Sequence, residues 1–160
     1  LLILETRHLR WPDESHCEAF AQRLARCPGL FDASIELHGS LGAGKTSFVR
    51  HLLRALGVAG RIKSPSYAVL ESYELAQGIA SHFDFYRFAD PREWEDAGFR
   101  DVFTAPGLKL SEWPEKAAGM LPVADLQVWI ETQPDESRAV RLVAGTLLGQ
   151  SLLHELERHA

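Results

Sequence analysis

Glu36-Leu37-His38-Gly39-Ser40-Leu41-Gly42-Ala43-Gly44-Lys45-Thr46 is the stretch from which the rest of the chain is read. Residues 39–46 follow G-x-x-x-x-G-K-[ST] without deviation, the pattern of a phosphate-binding loop. Each residue type has a physical reason. Glycines let the backbone take positive φ and bring its N–H groups against phosphate with no side chain in the way. Those N–H groups and the start of the following helix make an anion site. Lys45 supplies a point charge for the β- and γ-phosphates, and the Thr46 hydroxyl is placed to ligate magnesium. The candidate nucleotide-binding set is therefore Gly39, Ser40, Leu41, Gly42, Ala43, Gly44, Lys45 and Thr46, with Ser47 next on the helix. The implied ligand is a nucleoside triphosphate with magnesium.

The flanks agree with this. Residues 33–38 read as a short strand. Residues 44–56 read as a helix with Phe48, Val49, Leu52, Leu53 and Leu56 on one face and Arg50 and Arg54 outside it, stopped by Gly57. Upstream, residues 1–6 suit a strand. Pro12-Asp13-Glu14-Ser15 starts a helix carrying Phe20, Ala21, Leu24 and Ala25, which Pro28-Gly29 ends. Downstream, residues 67–75 and 79–86 are two strand-like runs split by Ala76-Gln77-Gly78. A hairpin there makes the sheet mixed. A short helix is expected over 91–97, strands over 108–112, 126–131 and 138–144, a helical turn over 114–118, and a last helix carrying Leu147, Leu148, Leu152, Leu153 and Leu156. With no repeat and no long linker, the expectation is an α/β fold of the P-loop NTPase type, one domain over 1–160, its mixed β-sheet flanked by helices.

A phosphate-binding loop needs an acidic partner for the metal or its water at the end of a neighbouring strand. Asp84, after Ser81-His82-Phe83, and Glu112, ending the run from Leu108, are the two candidates. Which of them orients an attacking water stays open at this stage. Ser64-Pro65-Ser66 follows the helix where a switch segment would lie; its hydroxyls suit γ-phosphate sensing, and a plain turn is the alternative. Arg87 can reach phosphate or pair with Asp84. Trp113 can stack on a base or cover core. His38 and His82 sit in apolar runs and read as satisfied core residues.

Composition bounds the rest. The chain has 160 residues, 46% hydrophobic and 24% charged, as an ordinary globular domain does. A net charge of −5 and no evident basic stripe argue against unaided binding to a nucleic-acid backbone. Cys17 and Cys27, ten positions apart, do not have the spacing of a zinc motif and read as reduced thiols, hence a cytoplasmic protein. No apolar stretch approaches a membrane span.

Four motifs in order resemble one family, TsaE (YjeE). The loop quoted above looks like its phosphate-binding loop and Ser64-Pro65-Ser66-Tyr67 like its switch. His82-Phe83-Asp84-Phe85-Tyr86-Arg87 is similar to its H-x-D-x-Y-R motif, and Glu112-Trp113-Pro114 to its Glu-Trp-Pro element. The resemblance covers roughly residues 10 to 145 and implies an ATPase of bacterial tRNA N6-threonylcarbamoyladenosine formation. Such an ATPase works with the TsaD–TsaB complex and meets tRNA only through it. It also implies roles: Lys45 on phosphate, Thr46 and Glu112 holding magnesium, Asp84 supporting hydrolysis with Lys45, and Trp113 beside the nucleotide. The sequence departs from the family at Ser40, usually Asp or another polar residue, at Ser66, usually Thr, and near Cys17, where Thr often lies close to the nucleotide. A P-loop small-molecule kinase and a nucleotide-gated interaction module are the alternatives; no glycine-bounded arginine lid favours the kinase.

Overall fold

In the computed structural model, which describes residues 2–65, 68–90, 92–96 and 98–158, the phosphate-binding motif leaves the carboxyl end of a central strand. That strand, β2 (Ser34–His38), follows β1 (Glu5–Trp11) and α1 (Glu14–Ala25) and precedes α2 (Lys45–Ala55). The hairpin β3 (Leu70–Leu75) and β4 (Gly78–Asp84) comes next, then α3 (Arg92–Asp96) and α4 (Phe99–Thr104). β5 (Leu108–Glu112), β6 (Leu126–Thr132), β7 (Arg138–Ala144) and α5 (Leu147–Arg158) complete the chain. The seven strands form one sheet in the order β1-β7-β6-β2-β5-β4-β3.

The sheet is mixed, as the hairpin implies. β2 runs parallel to both β5 and β6, and β4 runs parallel to β5, whereas β3–β4, β6–β7 and β1–β7 are antiparallel. Parallel strands in an open α/β sheet deliver ligand sites at their carboxyl ends. Here that edge carries His38, Asp84 and Glu112, with Asp84 and Glu112 directly in register.

Two cores lie on opposite faces. The larger joins α1, α2 and α5 to β2, β5 and β6, with Phe20, Leu24, Phe48, Leu52, Ile35, Leu37, Leu110 and Val128 buried. Trp11, Phe20 and Phe48 meet there with ring centroids 5.4 to 5.8 Å apart. The smaller is aromatic: Phe83, Phe85, Phe88, Trp94 and Phe99 pack under β4. Alternation along β4 explains the split, since Phe83 points to the aromatic core while Ala80 points to the larger one.

Some elements differ from expectation. The first strand is Glu5–Trp11 and not 1–6, because pairing with β7 over the full register outweighs the apolar run; Leu2 and Ile3 are exposed. The hairpin strands are shorter than read, and α4 was missed because it spans only Phe99–Thr104, too short to show a helical period. Residues 66 and 67 of the expected hairpin and switch, and the ends of the expected 91–97 helix, lie outside the described residues.

Candidate functional site

The loop between β2 and α2 is shaped by three left-handed glycines, with φ of +149° at Gly39, +81° at Gly42 and +108° at Gly44. At Gly39 a Cβ would run into the Ile130 carbonyl oxygen, so this turn tolerates only glycine. At Gly42 a Cβ would meet nothing within 4 Å, and at Gly44 only Arg138 Nε at 3.7 Å. Beside Gly42 and Gly44 the loop is thus uncrowded while their positive φ disfavours a side chain, which suits close approach of an oxyanion group to the backbone. Gly44 precedes α2 with no side-chain cap, leaving the helix start to face the cavity. Arg138 braces the loop from behind by donating from Nε to the Ala43 carbonyl at 2.7 Å. Nothing in the motif announces Arg138; it comes from β7 and is found only in three dimensions.

Leu41, Gly42, Gly44, Lys45, Thr46 and Ser47 form one wall of a cavity of about 350 Å³. Ser64, Asp84, Tyr86, Arg87, Glu112 and Trp113 form the other. The expected site residues therefore converge, with three exceptions. Ala43 is buried and faces a second cavity on the α1 side, while Gly39 and Ser40 border a hollow on the opposite sheet face, beside Trp129 and Arg141.

Electrostatics concentrate on Glu112, which is buried at the end of β5. The Thr46 hydroxyl donates to its Oε1 at 2.8 Å, and His82 Nε2 lies 2.6 Å from its Oε2. His82 is itself buried, and its Nδ1 has no hydrogen-bond partner among the described residues. The expectation of a satisfied core histidine is corrected: one nitrogen orients a site carboxylate and the other is stranded. The local sequence round His82 does not announce this contact, since Glu112 lies 30 positions away. His38, by contrast, does read as satisfied; it stacks on Trp129 at 4.0 Å and pairs with Glu36 at 3.0 Å.

Lys45 is folded back onto its own loop. Its Nζ donates to the Gly39 carbonyl and sits 3.4 Å from the centroid of the Trp113 ring. Burial pushes its pKa down, opposed by the nearby charges of Glu112, Glu115 and Asp84. Trp113 adopts a left-handed backbone (φ +55°, ψ +47°), which turns its ring toward the lysine and against Tyr86, 4.9 Å away. Burial pushes the Asp84 carboxyl up; the Tyr86 N–H, donating to Oδ1 at 3.0 Å, partly opposes this, and Glu112 adds to it. A desolvated carboxyl beside a second carboxylate, in a cleft, is the usual environment of a functional acid or base.

The donor set is hard: a hydroxyl and two carboxylates grouped at one end of a lysine-bearing cradle. It suits an oxygen-preferring cation such as magnesium alongside phosphate. Elsewhere the fold gathers Arg50, Arg54, Arg61 and Lys63 round one surface hollow. The expectation of no basic stripe is corrected to this extent, since α2 and the segment after it bring together charges up to 13 positions apart. No helix of the described residues is long and apolar enough to cross a membrane.

Comparison with known proteins agrees with the fold. The family model described as "Threonylcarbamoyl adenosine biosynthesis protein TsaE" matches residues 11–140. The tRNA threonylcarbamoyladenosine biosynthesis protein TsaE of Haemophilus influenzae is 44% identical over 119 residues, 74% of this chain and 75% of that protein. Its counterpart in Bacillus subtilis is 31% identical over 157 residues, 96% of each. Among solved structures, Bacillus subtilis YdiB superposes with a TM-score of 0.79 at 25% identity, covering 99% of this chain and 98% of the other. The chain belongs to the TsaE family of threonylcarbamoyl adenosine biosynthesis proteins.

Proposed function

We propose that this chain is an ATP-binding and ATP-hydrolysing component of tRNA N6-threonylcarbamoyladenosine formation at position 37, acting in the cytoplasm on the TsaD–TsaB complex to allow repeated turnover. Family membership supports the pathway. The observation that carries the ATPase reading is the contact between Thr46, on the glycine cradle, and Glu112, at the end of the neighbouring parallel strand. That contact couples a phosphate site to an oxygen-donor site.

The backbone of 42–46 and the start of α2 bind the polyphosphate. Lys45 leaves the Gly39 carbonyl and the Trp113 ring to meet phosphate oxygen, a short swing that exchanges one set of electrostatic partners for another. Thr46 and Glu112 would hold magnesium, which when bound would neutralise phosphate charge. His82 fixes the Glu112 carboxylate from below. Asp84, ready to take a proton because burial has raised its affinity for one, orients water on the opposite side of the cavity from the loop. Trp113 covers the nucleotide once Lys45 has moved.

The test is ATP hydrolysis measured for the protein alone and with TsaD and TsaB, together with tRNA modification scored over multiple turnovers. Low activity alone, stimulation by the partners, and single-turnover modification without this chain are the expected results. Partner-independent phosphorylation of a small acceptor would overturn the reading in favour of a kinase. With a net charge of −5, contact with tRNA runs through the partners. A tight, salt-sensitive complex of the isolated protein with tRNA, lost when Arg50, Arg54, Arg61 and Lys63 are neutralised, would contradict that part.

A further inference from the structure

We propose that Glu14, Cys17 and His51 form a binding site for a borderline-soft divalent cation of the zinc type, on the α1–α2 seam beside the phosphate-binding loop. The ligating atoms of the three, one carboxylate oxygen, one sulfur and one imidazole nitrogen, all lie within 4.8 Å of one another. Zinc bonds of roughly 2.0 to 2.3 Å in a tetrahedron separate its donors by ~3.5 Å, so small side-chain rotations that part the Glu14–His51 contact and keep the sulfur close would seat an ion. Three protein donors with a fourth position left for water is a normal zinc complement.

The surroundings are those of a built site. On α1, Glu14, Cys17 and Glu18 stand at positions i, i+3 and i+4, one face of the helix, opposite His51 on α2. His51 uses its two nitrogens differently: Nε2 lies 2.6 Å from Glu14 and Nδ1 lies 3.4 Å from Glu18. A carboxylate at ion-pair distance from the far nitrogen helps orient the ring, as carboxylates behind metal-bound histidines do. Cys17 is buried, and burial with the Glu14 charge pushes its thiol up to about 12. It is therefore inert as a free nucleophile, and a bound cation is the partner that would deprotonate it. Sequence spacing hides the set, because its histidine comes from another helix and the second cysteine, Cys27, is not part of it.

Location gives the site a consequence. Glu14 and Cys17 also line the second cavity, about 430 Å³, which reaches Gly42, Gly44 and Ser47 of the phosphate-binding loop. A cation here occupies the wall of that cavity without using Thr46, Glu112 or Asp84. Its binding can therefore be tested with no nucleotide present, independently of the ATPase reading.

The experiment is titration of the reduced, chelator-stripped full chain with cobalt(II), then competition with zinc. A one-to-one complex with a thiolate-to-cobalt charge-transfer band, displaced by zinc and accompanied by proton release, is expected. C17S removes the band. E14Q and H51Q, substitutions at partly or fully solvent-facing positions, each weaken zinc at least ~tenfold, and E18Q weakens it by a similar factor through the ring it orients. C27S leaves band and affinity unchanged. Absence of a charge-transfer band at stoichiometric cobalt overturns the proposal, as does a band that survives C17S or zinc affinity indifferent to both H51Q and E14Q. Should C17S fail to fold, H51Q and E14Q decide alone.

Discussion

Substituting His82 by alanine tests whether the buried pair at the floor of the cavity is as important as its geometry implies. His82 and Glu112 are 1% and 2% exposed, and His82 Nε2 lies 2.6 Å from Glu112 Oε2. Two costs follow from the change. Truncating a large side chain in a packed interior costs ~2–4 kcal/mol. Stranding a buried carboxylate oxygen costs about 1–3 kcal/mol more. The sum, roughly 3–7 kcal/mol, is a large part of the ~5–15 kcal/mol that holds a domain together. His82→Gln places an amide donor at a similar reach and should recover much of it. The direct contact is isolated by a double-mutant cycle of H82A and E112A, read by urea unfolding with tryptophan fluorescence at constant m. We expect a coupling energy of about 1.5–3 kcal/mol, the range for hydrogen bonds to charged groups. A coupling below ~0.5 kcal/mol, the scatter of independent sites, would refute the reasoning and return His82 to ordinary core.

Further outcomes follow from the same geometry. Lys45→Ala removes the phosphate-facing charge and should weaken ATP binding at least ~tenfold, ~1.4 kcal/mol, by calorimetry; unchanged affinity would contradict the assignment of the loop. Glu112→Gln keeps the side-chain shape but removes an anionic donor, so the magnesium requirement for hydrolysis should rise, and an unaltered magnesium titration would remove Glu112 from the site. Asp84 has a folded pKa raised above 3.8, chiefly by burial, so the native state binds more protons than the unfolded chain between the two values and stability falls as pH rises through that window. Asp84→Asn should therefore not destabilise the protein at neutral pH and should flatten that acid-side slope, while the proposed role in orienting water predicts lost hydrolysis; a marked loss of stability in neutral urea titrations would contradict this. Gly39→Ala forces a Cβ into the Ile130 carbonyl and should abolish soluble folded protein, whereas Gly42→Ala has room and should cost only ~1 kcal/mol of left-handed strain.

Much of this site could be read from the chain because its chemistry is local. The loop 39–46 needs its glycines, lysine and threonine contiguous, and β5 ends at Glu112 as its apolar run indicates. The mixed sheet followed from a single turn, Ala76-Gln77-Gly78, and β7 has the bounds expected for it. What escaped is what depends on distant strands meeting. Arg138 reaches the loop from 95 positions away, and His82 meets Glu112 across 30. The periodicity of either strand gives no hint of these contacts. The first strand escaped for a different reason: its frame is set by β7, and the apolar Leu2 and Ile3 are left exposed outside that pairing.

The aromatic core under β4 bears on more than stability. Phe83 and Phe85, ring centroids 5.6 Å apart, flank Asp84 in sequence and grip the underside of the sheet, so the carboxylate is aimed by its two neighbours and not by the loop it faces. On the proposed reading, the residues that would grip polyphosphate and the one that would align water are thus anchored on separate cores. Loosening the phenylalanine cluster should leave a protein that still captures nucleotide but cannot spend it.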